Sequence, residues 1–487
     1  SSTILVMIIV LAFPLSNEGH EIMCKYLEIE FSERCYGSAD LLIKNTIYFD
    51  TFSIHKKTQF TDYFRYIMIF SIGFLPLYLC ISKNQFTNEK ILTAFFSNSG
   101  HFLMHYMAAM YFTIILALQK TWEMNYEKLF ELWFPASIII GLCSIPAGRL
   151  ADKWSSPGML IIMFLGMGIS SFLASIVNEQ YTLMLFLGSL GLFAAIYHPV
   201  GIPWMIKTSE SKPGIRLAIN GLFGGLGASG AAIITGWIIS NYGWRSSFSI
   251  PGFFSLLLGI LMFLSLKYKK IRESNNSSTQ KGIDDKSNSN IYAVILMMLP
   301  MFVMGLIYNS VQGIMPKLFE ERMPVILDGK IELVGTIVGF VYAVGAVSQI
   351  LGGYLADKCN HKLLYLSIWV VQAPLLLLIA NYGGFPVALF ACILTMSGTS
   401  ALPTENIMLS RYASNNHQGL TFGAKFLVTF CAAPLGVYLI THFRETTGEF
   451  TYVLFSLSFA AIIACISIIF LPNTGNKMTL RLLPNKV

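Results

Sequence analysis

Charge is what this chain has least of. Only 12% of its 487 residues are Asp, Glu, Lys or Arg, against 54% hydrophobic. A soluble protein of this length carries about twice that charged fraction. The formal net charge of +7 is modest and gathers in a few loops. Nucleic acid is therefore a poor partner, and membrane topology explains the charge better. A phosphate-cradling G-x-x-x-x-G-K-S/T loop is lacking, which argues against nucleotide hydrolysis by this chain. No nucleophile–base set stands out either, so an enzyme is not expected, and neither is a cofactor. The eight cysteines show no CxxC and no Cys/His metal spacing. Cys80, Cys143, Cys392, Cys431 and Cys465 fall in apolar runs and read as small buried residues, whereas Cys359 sits in a polar turn.

Long apolar runs are what the sequence has in abundance. Runs of about 20 residues match the roughly 30 Å hydrocarbon core of a bilayer. Backbone in lipid must satisfy its own hydrogen bonds, so these runs are expected to be helices. Twelve segments are read: 95–118, 131–150, 158–177, 181–206, 215–240, 246–267, 291–314, 333–356, 363–381, 385–409, 419–442 and 449–471.

Two short stretches nearly repeat: Gly148-Arg-Leu-Ala-Asp152-Lys153 and Gly353-Tyr-Leu-Ala-Asp357-Lys358. They lie 205 residues apart (353 minus 148), each after a long apolar run. Pro199 and Pro403 match at an offset of 204, and Gly214/Gly419 and Gly243/Gly448 at 205. A constant offset over this distance is internal duplication. The expected fold is all-α: twelve transmembrane helices in two six-helix pseudo-symmetric halves. The domains are then 1–94, an N-terminal extension; 95–267, the first half; 268–290, a polar cytoplasmic linker; 291–472, the second half; and 473–487, a cytoplasmic tail. Lys and Arg crowd the loops on the side of the duplicated stretch, which puts that side in the cytoplasm.

The extension has two readings. Ser1–Ser16 resembles a secretory signal core, followed by a polar region holding Cys24 and Cys35 and by a possible span at 64–82. With the signal removed, Cys24 and Cys35 face an oxidising side and can pair. The other reading is an upstream frame joined to the core by a faulty gene model.

At the duplicated G-x-L-A-D-K the chain resembles the major facilitator superfamily, whose loop signature is G-x-x-x-D-R/K-x-G-R/K-R/K. Gly148, Asp152 and Lys153 match it, as do Gly353, Asp357 and Lys358. Ser155 and Asn360 stand where the family has its second glycine, and the following basic pair is reduced to Lys362 in the second copy. Ser99-Gly-His-Phe, Tyr197-His-Pro-Val-Gly201 and Gly243-Trp-Arg-Ser-Ser-Phe248 resemble the fosmidomycin-resistance-like bacterial members. The resemblance implies a secondary transporter moving a small organic solute by alternating access, proton-coupled, monomeric, and held in the lipid bilayer of a bacterial inner (plasma) membrane. It also implies that Asp152 and Asp357 act as latches on the cytoplasmic side. The plain alternative is a solvated turn charge. A second class of function stands beside transport: a non-transporting membrane sensor or scaffold acting through the extension.

Charged and polar groups inside apolar helices mark the candidate site, because they are costly there and face a partner or a wet cavity. Glu405 and Lys425 lie on adjacent helices, one to two turns from the cytoplasmic ends, and an ion pair is expected. It serves as gate, substrate contact or coupling group, or else as a static bridge between helices. His101 and His105, four residues apart, share one helix face. They suit proton coupling or serve as packing histidines; with no third ligand beside them in sequence, a metal is not expected. His198 is a similar case beside Pro199, which can kink its helix. Asn220, Asn309, Gln312, Asn406, Gln349 and Gln372 line a cavity or join helices. Trp122 and Trp244 read as interface anchors.

Overall fold

In a computed structural model of the chain, the described residues are 88–208, 213–268, 271, 290–413 and 418–472. The signal-like run, the Cys24–Cys35 pair, the span at 64–82, most of the linker and the tail lie outside them. Among the described residues, twelve helices are long and apolar enough to cross a membrane: α1 (Glu89–Trp122), α2 (Tyr126–Lys153), α3 (Ser156–Ser175), α4 (Gln180–Ile206), α5 (Ile219–Tyr242), α6 (Ser246–Lys267), α7 (Ile291–Arg322), α8 (Ile331–Lys358), α9 (His361–Asn381), α10 (Phe385–Tyr412), α11 (Thr421–Thr447) and α12 (Thr451–Ile469). They are the expected twelve, and α1 and α7 run several residues past their expected ends.

The duplication seen in sequence is a duplication of contacts. A methyl group placed on Gly148 would stand 3.2 Å from Cβ of Pro199, and one on Gly353 would stand 4.0 Å from Cγ of Pro403. The glycine of each repeated stretch thus packs on the matched proline of its own half. Ser155 and Asn360, which depart from the family signature, are helix caps. Ser155 Oγ accepts the backbone N–H of Gly158 at 3.0 Å, and Asn360 Oδ1 accepts that of Leu363 at 3.1 Å. Each satisfies a donor that the first turn of α3 or α9 leaves open. Replacing either by alanine is expected to cost about 1 kcal/mol, read as a lowered unfolding temperature in detergent; no shift in either variant overturns the capping role.

Helix C-termini are closed in the same way. Arg245 donates to the carbonyls of Ser175 and Val177 at 3.0 and 2.7 Å, and Arg322 donates to those of Ile379 and Ala380 at 3.1 and 2.5 Å. Ser175 and Ala380 are again 205 apart. A cation on the last turn of α3 or α9 binds orphan carbonyls and complements the helix dipole. Lys362, the remnant of the family's basic pair, donates to Ile469 and Leu471 carbonyls at 2.8 and 2.5 Å. Gly243 and Gly448 end α5 and α11 with φ of +81° and +76°, a left-handed stop that glycine adopts without a Cβ penalty. Trp122 and Trp244 meet edge to face at 5.8 Å, so the two expected anchors pack on each other.

The halves meet along α5·α8 and α2·α11, where small residues let backbones approach. Gly225 abuts Ala346, and Gly141 abuts Phe430 and Cys431. Ser229 Oγ donates to the Gly339 carbonyl at 2.7 Å. Toward the end away from the duplicated stretch, Gly335 lies against the Ala232 carbonyl, and Tyr126 donates to the Gly313 carbonyl at 3.2 Å. Arg444 pairs with Glu321 and sits 4.6 Å over Phe450. The halves are in contact at that end of the bundle.

Candidate functional site

Two buried polar clusters stand out, one in each half. The first is built on α1, α4 and α5. The chain of α4 breaks between its helical parts, Gln180–Ala194 and Tyr197–Lys207, just upstream of Pro199. Proline cannot donate to the carbonyl four residues back, which is that of Ala195. In the second half the matched Pro403 sits inside unbroken α10. The break sets Tyr197 and His198 beside α1. His101, His105 and His198 form a near-equilateral triangle, with ring centres 5.0, 5.2 and 5.4 Å apart. Their ligating atoms lie within 4.8 Å of one another. The pair visible in sequence therefore has a third partner, supplied by topology.

The surroundings fix these rings. Tyr197 stacks on His101 at 4.7 Å and donates to the Ser97 carbonyl at 2.8 Å. Asn220 donates to Asn98 Oδ1 at 2.9 Å and to the Tyr197 hydroxyl at 2.8 Å. Its backbone carbonyl lies 2.7 Å from Nδ1 of His101. A carbonyl only accepts, so Nδ1 of His101 carries a proton there. Asn220 is fully buried. It holds α1, α4 and α5 together rather than lining a cavity: a polar residue in an apolar helix signals burial against a partner but not which face it takes.

The second cluster is built on α9, α10 and α11. Lys425 Nζ lies 2.7 Å from Glu405 Oε1, and the two side chains are 7% and 2% exposed. Lys425 also donates to Asn406 Oδ1 at 2.5 Å, and Tyr365 donates to Glu405 Oε2 at 2.7 Å. The expected ion pair is formed, with its carboxylate held from two sides. Sequence reasoning missed Tyr365, one of 22 tyrosines, with nothing in its spacing to single it out. The clusters join through α11: Phe426, next to Lys425, lies 5.6 Å from His198, and Phe430 lies 5.1 Å from it.

The other expected residues are scattered. Gln312 lines a cavity of about 10 Å³ with Thr113 and Tyr342, close to the room one water needs. Asn309 donates back to the Gly305 carbonyl of its own helix at 2.7 Å. Gln349 packs where Gly221 lacks a side chain, and Gln372 is fully buried. Asp152, Lys153, Asp357 and Lys358 are exposed at the ends of α2 and α8. Lys358 folds onto its own helix, donating to the Tyr354 hydroxyl at 2.6 Å.

A twelve-helix bundle of two matched halves, with a buried polar cluster in each, defines a multi-pass integral membrane protein of the transporter class rather than an enzyme. The sequence profile of the Major Facilitator Superfamily matches residues 97–424, and the chain belongs to that family. It is 29% identical over 164 residues to the 4-hydroxybenzoate transporter PcaK of Pseudomonas putida, a match spanning 33% of this chain and 36% of that protein. It is 22% identical over 282 residues to the multidrug resistance protein MdtG of Dickeya zeae, covering 56% of this chain and 67% of the relative. Among solved structures, the D-xylose–proton symporter superposes with a TM-score of 0.63 at 14% identity, covering 80% of this chain and 99% of the other. An inward-facing bacterial homologue of the human lysosomal transporter Spinster gives 0.60 at 13% identity, covering 79% and 96%. The bacterial sources of the sequence relatives point to the inner membrane.

Proposed function

We propose that this chain is a secondary transporter that moves a small organic solute by alternating access, coupled to protons. The observation that carries the reading is the buried Glu405–Lys425 pair, one residue along α11 from the aromatic wall of the histidine triangle. A carboxylate and an ammonium that neutralise each other inside a membrane make a switch. Protonating Glu405 frees Lys425, whose charge then attracts an anionic or zwitterionic solute at the junction. Losing the proton restores the pair and ejects the solute. PcaK's substrate, an aromatic acid, and the proton coupling of the xylose symporter are in keeping with this scheme. With the duplicated stretches taken as cytoplasmic, the exposure of Asp152 and Asp357 at the ends of α2 and α8 supports a latch role on that side.

The test is internal pH in proteoliposomes, with a pH dye inside and organic acids, amino acids and drugs outside. One compound is expected to drive a pH change that Glu405→Gln abolishes and His105→Ala weakens. A response that survives Glu405→Gln unchanged overturns the coupling role.

A further inference from the structure

We propose that His101, His105 and His198 form a binding site for a divalent transition-metal ion of the zinc class. The proposal does not rest on the transport reading, because binding is measured on the protein without flux.

Three observations carry it. The first is spacing. A metal about 2.0–2.1 Å from a ring nitrogen stands about 3.2 Å from the ring centre, and tetrahedral angles then space three ring centres about 5.2 Å apart. The observed separations are 5.0, 5.2 and 5.4 Å. Nitrogens within 4.8 Å of one another reach the roughly 3.4 Å of a bound tetrahedron by small ring rotations.

The second is an orphan. Both ring nitrogens of His198 are buried without a hydrogen-bond partner among the described residues, and the residue is 9% exposed. An unpaired buried donor or acceptor costs roughly 1–3 kcal/mol, and a metal bond at one nitrogen removes part of that cost.

The third is orientation. Nδ1 of His101 is tied to the Asn220 carbonyl, which leaves Nε2 unprotonated. A ligating histidine commonly gives its other N–H to a backbone carbonyl in this way. A methyl at position 224 would stand 2.5 Å from that Nε2 and 2.7 and 2.9 Å from the two ring carbons beside it, over the face of the ring, so glycine there leaves room for the ring itself.

Ligand chemistry narrows the ion. An all-imidazole set suits Zn²⁺, Co²⁺, Ni²⁺ or Cu²⁺ and is a poor match for Mg²⁺ or Ca²⁺, which take oxygen ligands. Three nitrogens leave a tetrahedral ion one position for a water or a carboxylate oxygen. An anionic oxygen there would offset part of the ion's charge in this apolar setting.

The experiment uses the full chain in detergent, carrying a histidine-free affinity tag and stripped with a chelator. Co²⁺ is the probe, because its visible absorption reports tetrahedral nitrogen coordination. One Co²⁺ per chain is expected, displaced by Zn²⁺, with affinity about 100-fold weaker or worse in His105→Gln and in His198→Ala. His442→Gln, outside the triangle, is expected to bind as the parent does. Should either triangle variant fail to fold, the parent protein decides: Zn²⁺ is expected to raise its unfolding temperature where Mg²⁺ does not. No Co²⁺ retained, no zinc-specific stabilisation, or binding indifferent to the triangle variants overturns the site.

Discussion

Glu405→Ala is expected to destabilise the protein by about 3–5 kcal/mol, the cost of leaving a buried partner charge uncompensated. Among the described residues, Lys425 would keep its ammonium in an apolar helix with the Asn406 amide oxygen at 2.5 Å alone to receive it. Tyr365 would lose the acceptor of its 2.7 Å hydrogen bond as well. The same reasoning gives the second half of the test. Glu405→Gln combined with Lys425→Met replaces an ion pair by neutral groups of similar volume. Such a replacement is often neutral or stabilising, so the double variant is expected to recover most of the loss. Thermal unfolding of Glu405→Gln, Lys425→Met and the double variant in detergent, with Glu405→Ala beside them, closes the cycle. A double variant no more stable than Glu405→Ala would mean that the pair contributes through shape and not through charge. The cycle also separates stability from transport: the double variant should fold well and fail to couple protons, because no carboxylate remains to take one.

Gly335→Val is expected to weaken the contact between the halves at the end of the bundle away from the duplicated stretch. A Cβ at Gly335 would collide with the Ala232 carbonyl and stand 3.3 Å from Cα of Gly236. Both contacts are backbone on the facing helix, so no side chain can swing aside. Overpacking of this kind costs roughly 1–3 kcal/mol, and it falls only on the state in which α5 and α8 touch here. A cost of about 1.4 kcal/mol shifts a two-state balance tenfold. The readout is labelling of a cysteine at Gln312, which lines the small cavity in this seam, in a background freed of native cysteines. Its rate is expected to rise about tenfold in Gly335→Val. An unchanged rate would show that the seam yields locally without the halves parting.

The fold was legible for a physical reason. Lipid forbids unpaired backbone, so low charge and long apolar runs leave helices as the answer, and the 205-residue offset divides them into halves. The site was legible where burial is expensive. Glu405 and Lys425 stood out because charges in apolar helices are rare, and their pairing followed from adjacent helices. Partners without charge were harder to see. Tyr365 is an ordinary aromatic until α9 is laid beside α10. The triangle was two-thirds visible, since the spacing of His101 and His105 is a property of one helix. His198 joins them only once the fold lays α4 beside α1. Ser155 and Asn360 looked like lost glycines and are gained caps: the signature is a string of letters, whereas the requirement is a satisfied N–H.

Gly243 and Gly448 show a constraint of another kind. Among the described residues, neither has an atom beyond its chain neighbours within 4 Å of where a Cβ would sit, so no clash bars a first side-chain carbon. What counts against other residues is handedness. An L side chain at a left-handed φ costs roughly 1–2 kcal/mol, and its mirror image costs nothing. These two positions in the matched halves tax every chiral residue of the genetic code and would take D-alanine without that cost, whatever the room around them.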